Sequence, residues 1–107
     1  MSNAYELFPD LSSLFSEIPE ESIVSRTFYE DDHQKCILFG FAPGQELSEH
    51  TASQPAVLHF LRGSATLLLG TDEHKANPHT WIHMDANLPH SVKAMTEVLM
   101  LLILYKA

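Results

Sequence analysis

Six of the seven histidines, His50, His59, His74, His79, His83 and His90, fall between positions 50 and 90. Imidazole nitrogen is the commonest protein ligand for transition metals. Three rings converging in one hollow would hold a divalent ion such as Zn, Ni, Fe, Cu or Mn with open positions for a small molecule. Five of these six sit in two stretches, PGQELSEHTASQPAVLHFLRG from Pro43 to Gly63 and HTWIHMDANLPHSV from His79 to Val92, which read as two halves of one pocket. His59 lies mid-way along the apolar run Val57–Leu61, where an unpaired imidazole would be costly. His83, flanked by Trp81 and Ile82, is a reserve ligand. His74 and His79 fall in expected turns and read as solvated, and His33 follows an acidic turn and needs no special account.

Other chemistry is poorly provided for. Only Glu49 and Asp85 lie near enough in sequence to complete a two-His-one-carboxylate site. Glu49 neighbours His50 on an extended segment and so faces away, while Asp85 occupies a turn. Ser48, Ser53, Ser64 and Ser91 lie in no G-x-S-x-G elbow, and the four glycines form no phosphate-cradling loop.

Short strands must position these residues. Ile23 to Tyr29, Lys35 to Ala42, Ala56 to Leu61, Ala65 to Leu69, Thr80 to Met84, Ser91 to Ala94 and Val98 to Tyr105 are strand-forming runs. Turn chemistry separates them at Pro43-Gly44, Gly63, Gly70-Thr71-Asp72, Asn77-Pro78 and Asn87-Leu88-Pro89. That pattern predicts an all-β sandwich or barrel over residues 22–107. Residues 1–21 form an N-terminal arm. Within it Leu11, Leu14, Phe15 and Ile18 have the spacing of a short amphipathic helix capped by Asp10 and ended by Pro19. The closing run Val98–Tyr105 barely alternates, so both its faces are expected to be covered, which points to a homodimer.

Composition sets the outer bounds. The 107 residues suit one domain, and a hydrophobic share of 45% describes an ordinary globule. A net charge of −8 with no basic run argues against nucleic acid and against an anionic membrane surface. The one cysteine, Cys36, permits no internal disulfide and reads as a small buried hydrophobe. No signal-like segment is recognised, and the longest apolar run is far short of the ~20 residues a spanning helix needs. The expectation is a soluble cytoplasmic protein.

From about Ser22 to Tyr105 the chain resembles the cupins, and specifically the small single-domain kind. Gln45 to Gly63 matches the frame of the first cupin motif, and Asp85 to His90 that of the second. The resemblance implies a jelly-roll β-barrel with a histidine metal site, and it places His50 and His90 at ligand positions. The second histidine of the first motif falls on Ala52, its glutamate on Ala56, and the proline and glycine of the second motif on Asp85 and Asn87.

His59, in the middle of an apolar strand where an unpaired imidazole would be costly, is the natural third ligand, and its direction depends on how the strand is counted. Counting by two from Ala56, the inward set is Ala56, Leu58 and Phe60. Counting back from Ala65, Leu67 and Leu69, it is Val57, His59 and Leu61, and this second count is the one expected here. A bulge near Gly63 decides between them. With His50, His59 and His90 on the ion, Trp81, Phe60, Met84 and Met95 are candidate walls for a small-molecule ligand. Two functions fit: a metal-dependent enzyme acting on a small molecule, or a non-catalytic, sensor-type binder of metal or ligand that works with or without an ion. Fold alone does not choose between them.

Overall fold

A computed structural model describes residues 4–106; the first three residues of the expected arm and the last residue lie outside it. Nine strands are described: β1 Ile23–Glu30, β2 Gln34–Phe41, β3 Glu46–His50, β4 Ala56–Arg62, β5 Ala65–Leu69, β6 Asp72–Ala76, β7 Trp81–Met84, β8 His90–Ala94 and β9 Val98–Tyr105. They form a five-stranded sheet in the order β1-β2-β9-β4-β7 and a four-stranded sheet in the order β3-β8-β5-β6. All pairings are antiparallel.

The expected strands are present, and β5 and β9 have the bounds that their residues predict. The two without an apolar pattern, β3 (ELSEH) and β6 (DEHKA), are the edges of the four-stranded sheet. Ladder hydrogen bonds to one neighbour hold each of them. Such a strand carries little of the burial from which alternation is read.

The two sheets face each other across an apolar core. Phe41 of β2, Leu58 and Phe60 of β4, Met84 of β7, and Val98 and Met100 of β9 meet Ala65 and Leu67 of β5 and Val92 and Ala94 of β8. Each set follows the period of two that points alternate side chains to one face.

The outer face of the five-stranded sheet is partly covered by the arm. Ile18 lies against Gly40, where an added Cβ would stand 2.7 Å from its Cδ1. Phe8 and Phe28 meet edge to face at 5.2 Å between centroids. Beneath this cover Cys36, Leu38 and Leu99 are buried, Cys36 among them as the sequence suggests. The expected helix is shorter than its spacing predicts: one turn of 3₁₀ helix, Leu11–Leu14, with the Asp10 side chain accepting from the Ser12 N–H at 3.0 Å. Phe15 is already extended, and the chain runs on to set Ile18 on the sheet. Contact with the sheet outweighs a helical preference too short to stand alone.

Two bulges matter for the site. In β4 the register against β9 shifts between Phe60, opposite Met100, and Arg62, opposite Leu99, so Leu61 is the extra residue. In β3 it shifts between Leu47, opposite Val92, and His50, opposite His90.

The β4–β5 turn depends on glycine. Gly63 has φ +83°, and an added Cβ would stand 1.9 Å from the Glu97 carbonyl oxygen. Gly44 has the same φ but open space around it. Gly63→Ala is expected to destabilise the fold by about 3 kcal/mol or more, strain and overlap together. Gly44→Ala should cost only about 1–2 kcal/mol. Urea midpoints of the two variants measure the difference, and equal losses would contradict the close approach at Gly63.

Candidate metal and ligand site

The site is built on the four-stranded sheet. On β8, Val92 and Ala94 point into the core, and two residues earlier His90 does the same, with 6% of its surface exposed. On β3, Leu47 shares this inward face. Strict alternation from Leu47 would bring Glu49 next to face inward, opposite His90. The extra residue in β3 hands that place to His50, and Glu49 stays exposed. The rings of His50 and His90 lie 4.2 Å apart between centroids, with their planes inclined at 56°.

Both rings are anchored in the same way. His50 Nδ1 lies 2.7 Å from the carbonyl oxygen of Ser48, and His90 Nδ1 lies 2.9 Å from that of Leu88. A carbonyl oxygen only accepts, so each Nδ1 carries the proton, and in the neutral ring Nε2 keeps its lone pair. Metal-ligating histidines are commonly held in this manner, one nitrogen bonded to a carbonyl and the other free for the ion.

The two halves of the motif are tied together beside the pair. The Asn87 N–H donates to the Ala52 carbonyl at 2.7 Å, linking the segment after β3 to the turn before β8. Asn87 has φ +68°, and asparagine tolerates this left-handed conformation better than most side chains, so it serves where the cupin motif has glycine. The Gly70 N–H donates to the Pro89 carbonyl at 2.8 Å, which fixes the approach to His90 from the other side.

His59 does not join the pair, and this corrects the expectation for it. Leu58 and Phe60 point into the core, so Val57 and His59 point out of the sandwich, with His59 level with Trp81 of β7 and Leu101 of β9. The count back from Ala65 fails because the extra Leu61 reverses the parity between β4 and β5. His83 also faces outward, alternating with Ile82 and Met84, which pack on the core; its Nδ1 is 3.9 Å from the Asp85 carboxylate. His33, His74 and His79 are exposed, and His74 lies on β6 rather than in a turn. Among the expected wall residues Phe60 and Met84 are in the core, whereas Trp81 and Met95 are 59% and 58% exposed.

Among the described residues no group of three His, Cys, Asp or Glu is placed to hold an ion. The site as built offers two imidazoles. Their shared tautomer fits a metal, while their number leaves most of a coordination sphere to other donors. Two clefts, of about 350 and 330 Å³, lie away from the pair. One sits between Asp10, Leu11, Arg62 and Leu99, and the other between Phe8, Phe28 and Cys36.

No known family model matches the sequence, and no curated protein does either. Solved structures do. A cupin superfamily protein from Desulfitobacterium hafniense is similar at a TM-score of 0.85 and 22% identity, over 100% of this chain and 95% of its own. A conserved protein of unknown function from Streptococcus pyogenes is similar at 0.83 and 25%, over 100% and 91%. A cupin 2 conserved barrel domain protein from Leptotrichia buccalis is similar at 0.82 and 26%, over 90% of this chain and 46% of its own.

Burial pushes the His90 imidazole below its ordinary value of 6.5; the hydrogen bond to Leu88 opposes this and the charge of His50 adds to it. The unfolded chain therefore takes up this proton more readily than the folded one. The contribution is fully present above 6.5 and is lost as pH falls from there through the lower folded value. Glu30 and Asp31, whose hydrogen bonds with Lys106 and with the His33 N–H lower them, act in a separate window below the ordinary carboxylate values of 4.5 and 3.8. The metal-free protein should have a lower urea midpoint at about pH 5.5 than at about pH 7.5. His90→Gln should flatten that difference, and an unchanged slope in the variant would count against a buried neutral imidazole. By its strand order, its facing sheets and these likenesses, the chain is a small all-β protein with the cupin jelly-roll fold.

Proposed function

We propose that this protein is a small-ligand-binding cupin that holds a divalent transition metal on His50 and His90. The observation that carries the reading is the matched anchoring of the two rings, each with Nδ1 on the carbonyl oxygen two residues earlier, 2.7 and 2.9 Å away. Burial of His90 lowers its proton affinity and so favours the neutral form, in which imidazole ligates. When bound, the ion supplies Lewis acidity to an oxygen of the ligand. The chain itself orients the rings, keeps His90 out of water and leaves exposed His50 as the approach for the small molecule.

A metal-free binding barrel is the second reading. It is favoured by Ala52 and Ala56, which stand where the cupin motif has a histidine and a glutamate.

Zinc titrated into tag-free protein is expected to perturb the imidazole ¹⁵N resonances of His50 and His90 and to leave those of His59 and His83 in place. Ala52→His, which restores the motif's second imidazole, should tighten zinc binding at least about tenfold by competition titration. Zinc that moves only the outer histidines would rule out the pair as its seat.

The outer face of β4, β7 and β9 supports a homodimer. Leu101 and Ile103 there are only partly covered, and Trp81 stands 59% exposed beside His59. A dimer is expected at micromolar concentration in sedimentation, and Trp81→Glu should shift it to monomer. A wild-type monomer under those conditions would remove this assembly.

A further inference from the structure

The cleft between the arm and the outer face of the five-stranded sheet shares no residue with the His50–His90 pair. It has a volume of about 330 Å³ and is lined by Glu6 and Phe8 of the arm, Phe28 and Tyr29 of β1, and Gln34 and Cys36 of β2. That is the small end of the range for ligand sites.

A third bulge builds it. Ile23 packs on the core, so alternation along β1 sends Val24, Arg26 and Phe28 outward and would turn Tyr29 inward. Instead the register against β2 shifts: Thr27 stands opposite Ile37 and Tyr29 opposite Cys36, with Phe28 the extra residue. Cys36 is on the outer face, because its partner Ile103 alternates with inward Leu102 and Leu104. Tyr29 therefore joins Phe28 outside, and two consecutive aromatic residues line one cleft. Phe8 adds a third ring from the arm, inclined at 76° to Phe28 with the centroids 5.2 Å apart.

The charge of the lining has one sign. Among the described residues it contains the Glu6 carboxylate and no Lys, Arg or His. The Tyr29 hydroxyl donates to Asp31 Oδ2 at 2.8 Å, which sets a second carboxylate beside that ring. The Asp31 carboxylate, and to a lesser degree burial and the Glu6 charge, push this hydroxyl above its ordinary value of 10.0. The Cys36 thiol is turned to Gln34 Oε1 at 3.7 Å. Neighbouring cations are directed elsewhere. Lys35 alternates with Cys36, Lys106 is bonded to Glu30 at 2.7 Å, and exposed Arg26 lies one row away opposite Leu38, outside the lining.

Ring faces and a carboxylate both attract a cation, and a chain of net charge −8 gathers cations around it. Among the described residues no group of three metal donors exists, so the lining does not suit an inorganic ion. An organic one it suits well, since an aromatic body packs on aromatic walls while an N–H group meets the carboxylate. We propose that this cleft binds a small arylalkylammonium ion, its ring against Phe8, Phe28 and Tyr29 and its ammonium group on Glu6. Two of the six lining residues belong to the arm, so the ligand also ties the arm to the barrel.

The test is an NMR titration of the full, tag-free, ¹⁵N-labelled chain with phenethylammonium, with neutral 2-phenylethanol and with anionic 3-phenylpropanoate. Phenethylammonium is expected to bind at least about tenfold tighter than either, shifting the amides of Phe8, Phe28, Tyr29 and Cys36. Glu6→Gln, at an exposed position, should cut its preference over 2-phenylethanol to about twofold or less. Phe28→Leu should weaken it at least about fivefold, with thermal melts establishing that the variant is folded. Glu73→Gln removes the same charge from exposed β6 on the other sheet and should leave the preference intact. Equal losses from Glu6→Gln and Glu73→Gln would reduce the effect to net charge and overturn the site. So would 2-phenylethanol binding as tightly as the amine, shifts that map outside the cleft, or no binding of phenethylammonium at all.

Discussion

The register of β3 on β8 decides what this protein has to work with. Leu47 opposite Val92 places an apolar side chain in the core, and from there strict alternation would present Glu49 to His90. One extra residue reverses the parity, so a buried imidazole meets another imidazole instead of a carboxylate. The edge strand tolerates this irregularity because it has a single neighbour to satisfy. The same slip that assembles the pair removes the acid nearest to it in sequence.

The surrounding contacts hold that register. The Asn87–Ala52 hydrogen bond closes the two motif segments on each other, and Gly70 grips the carbonyl of Pro89 immediately before His90. Anchoring each Nδ1 to a carbonyl of its own strand or turn fixes both rings without any third side chain. A pair oriented by backbone alone is economical, and it leaves the inner wall free for leucines. An open, apolar, two-nitrogen site differs chemically from the fuller donor set that the cupin motif implies, although the barrel around it is the same. This is how one fold comes to host different chemistry: the strands are preserved and the inward positions are reassigned.

Much of the fold was legible in the chain order. Seven strands had apolar or alternating residues and clear turn signals, because they carry the burial that produces such patterns. The polar edges β3 and β6 did not, since pairing and not burial holds them. The arm's helical spacing was real, but only the contact of Ile18 with Gly40 determines how far the helix runs. In the site, the D-A-N turn gave a usable signal at Asn87, a residue type that accepts a left-handed backbone.

What the sequence determined by itself was the class of the fold, the identity of the two histidines that match ligand positions, and the loss of their usual companions at Ala52 and Ala56. The fold class follows from residue type and spacing along one chain, and the two ligand positions and their lost companions are what the resemblance to the cupin motifs implies. Tertiary structure alone decided where His59 points. A period of two carries no absolute phase, and the phase of β4 is reset by a bulge at Leu61 that appears only when β4 is laid against β9. The meeting of His50 with His90 was settled the same way, by which residue of one strand stands opposite which residue of the next.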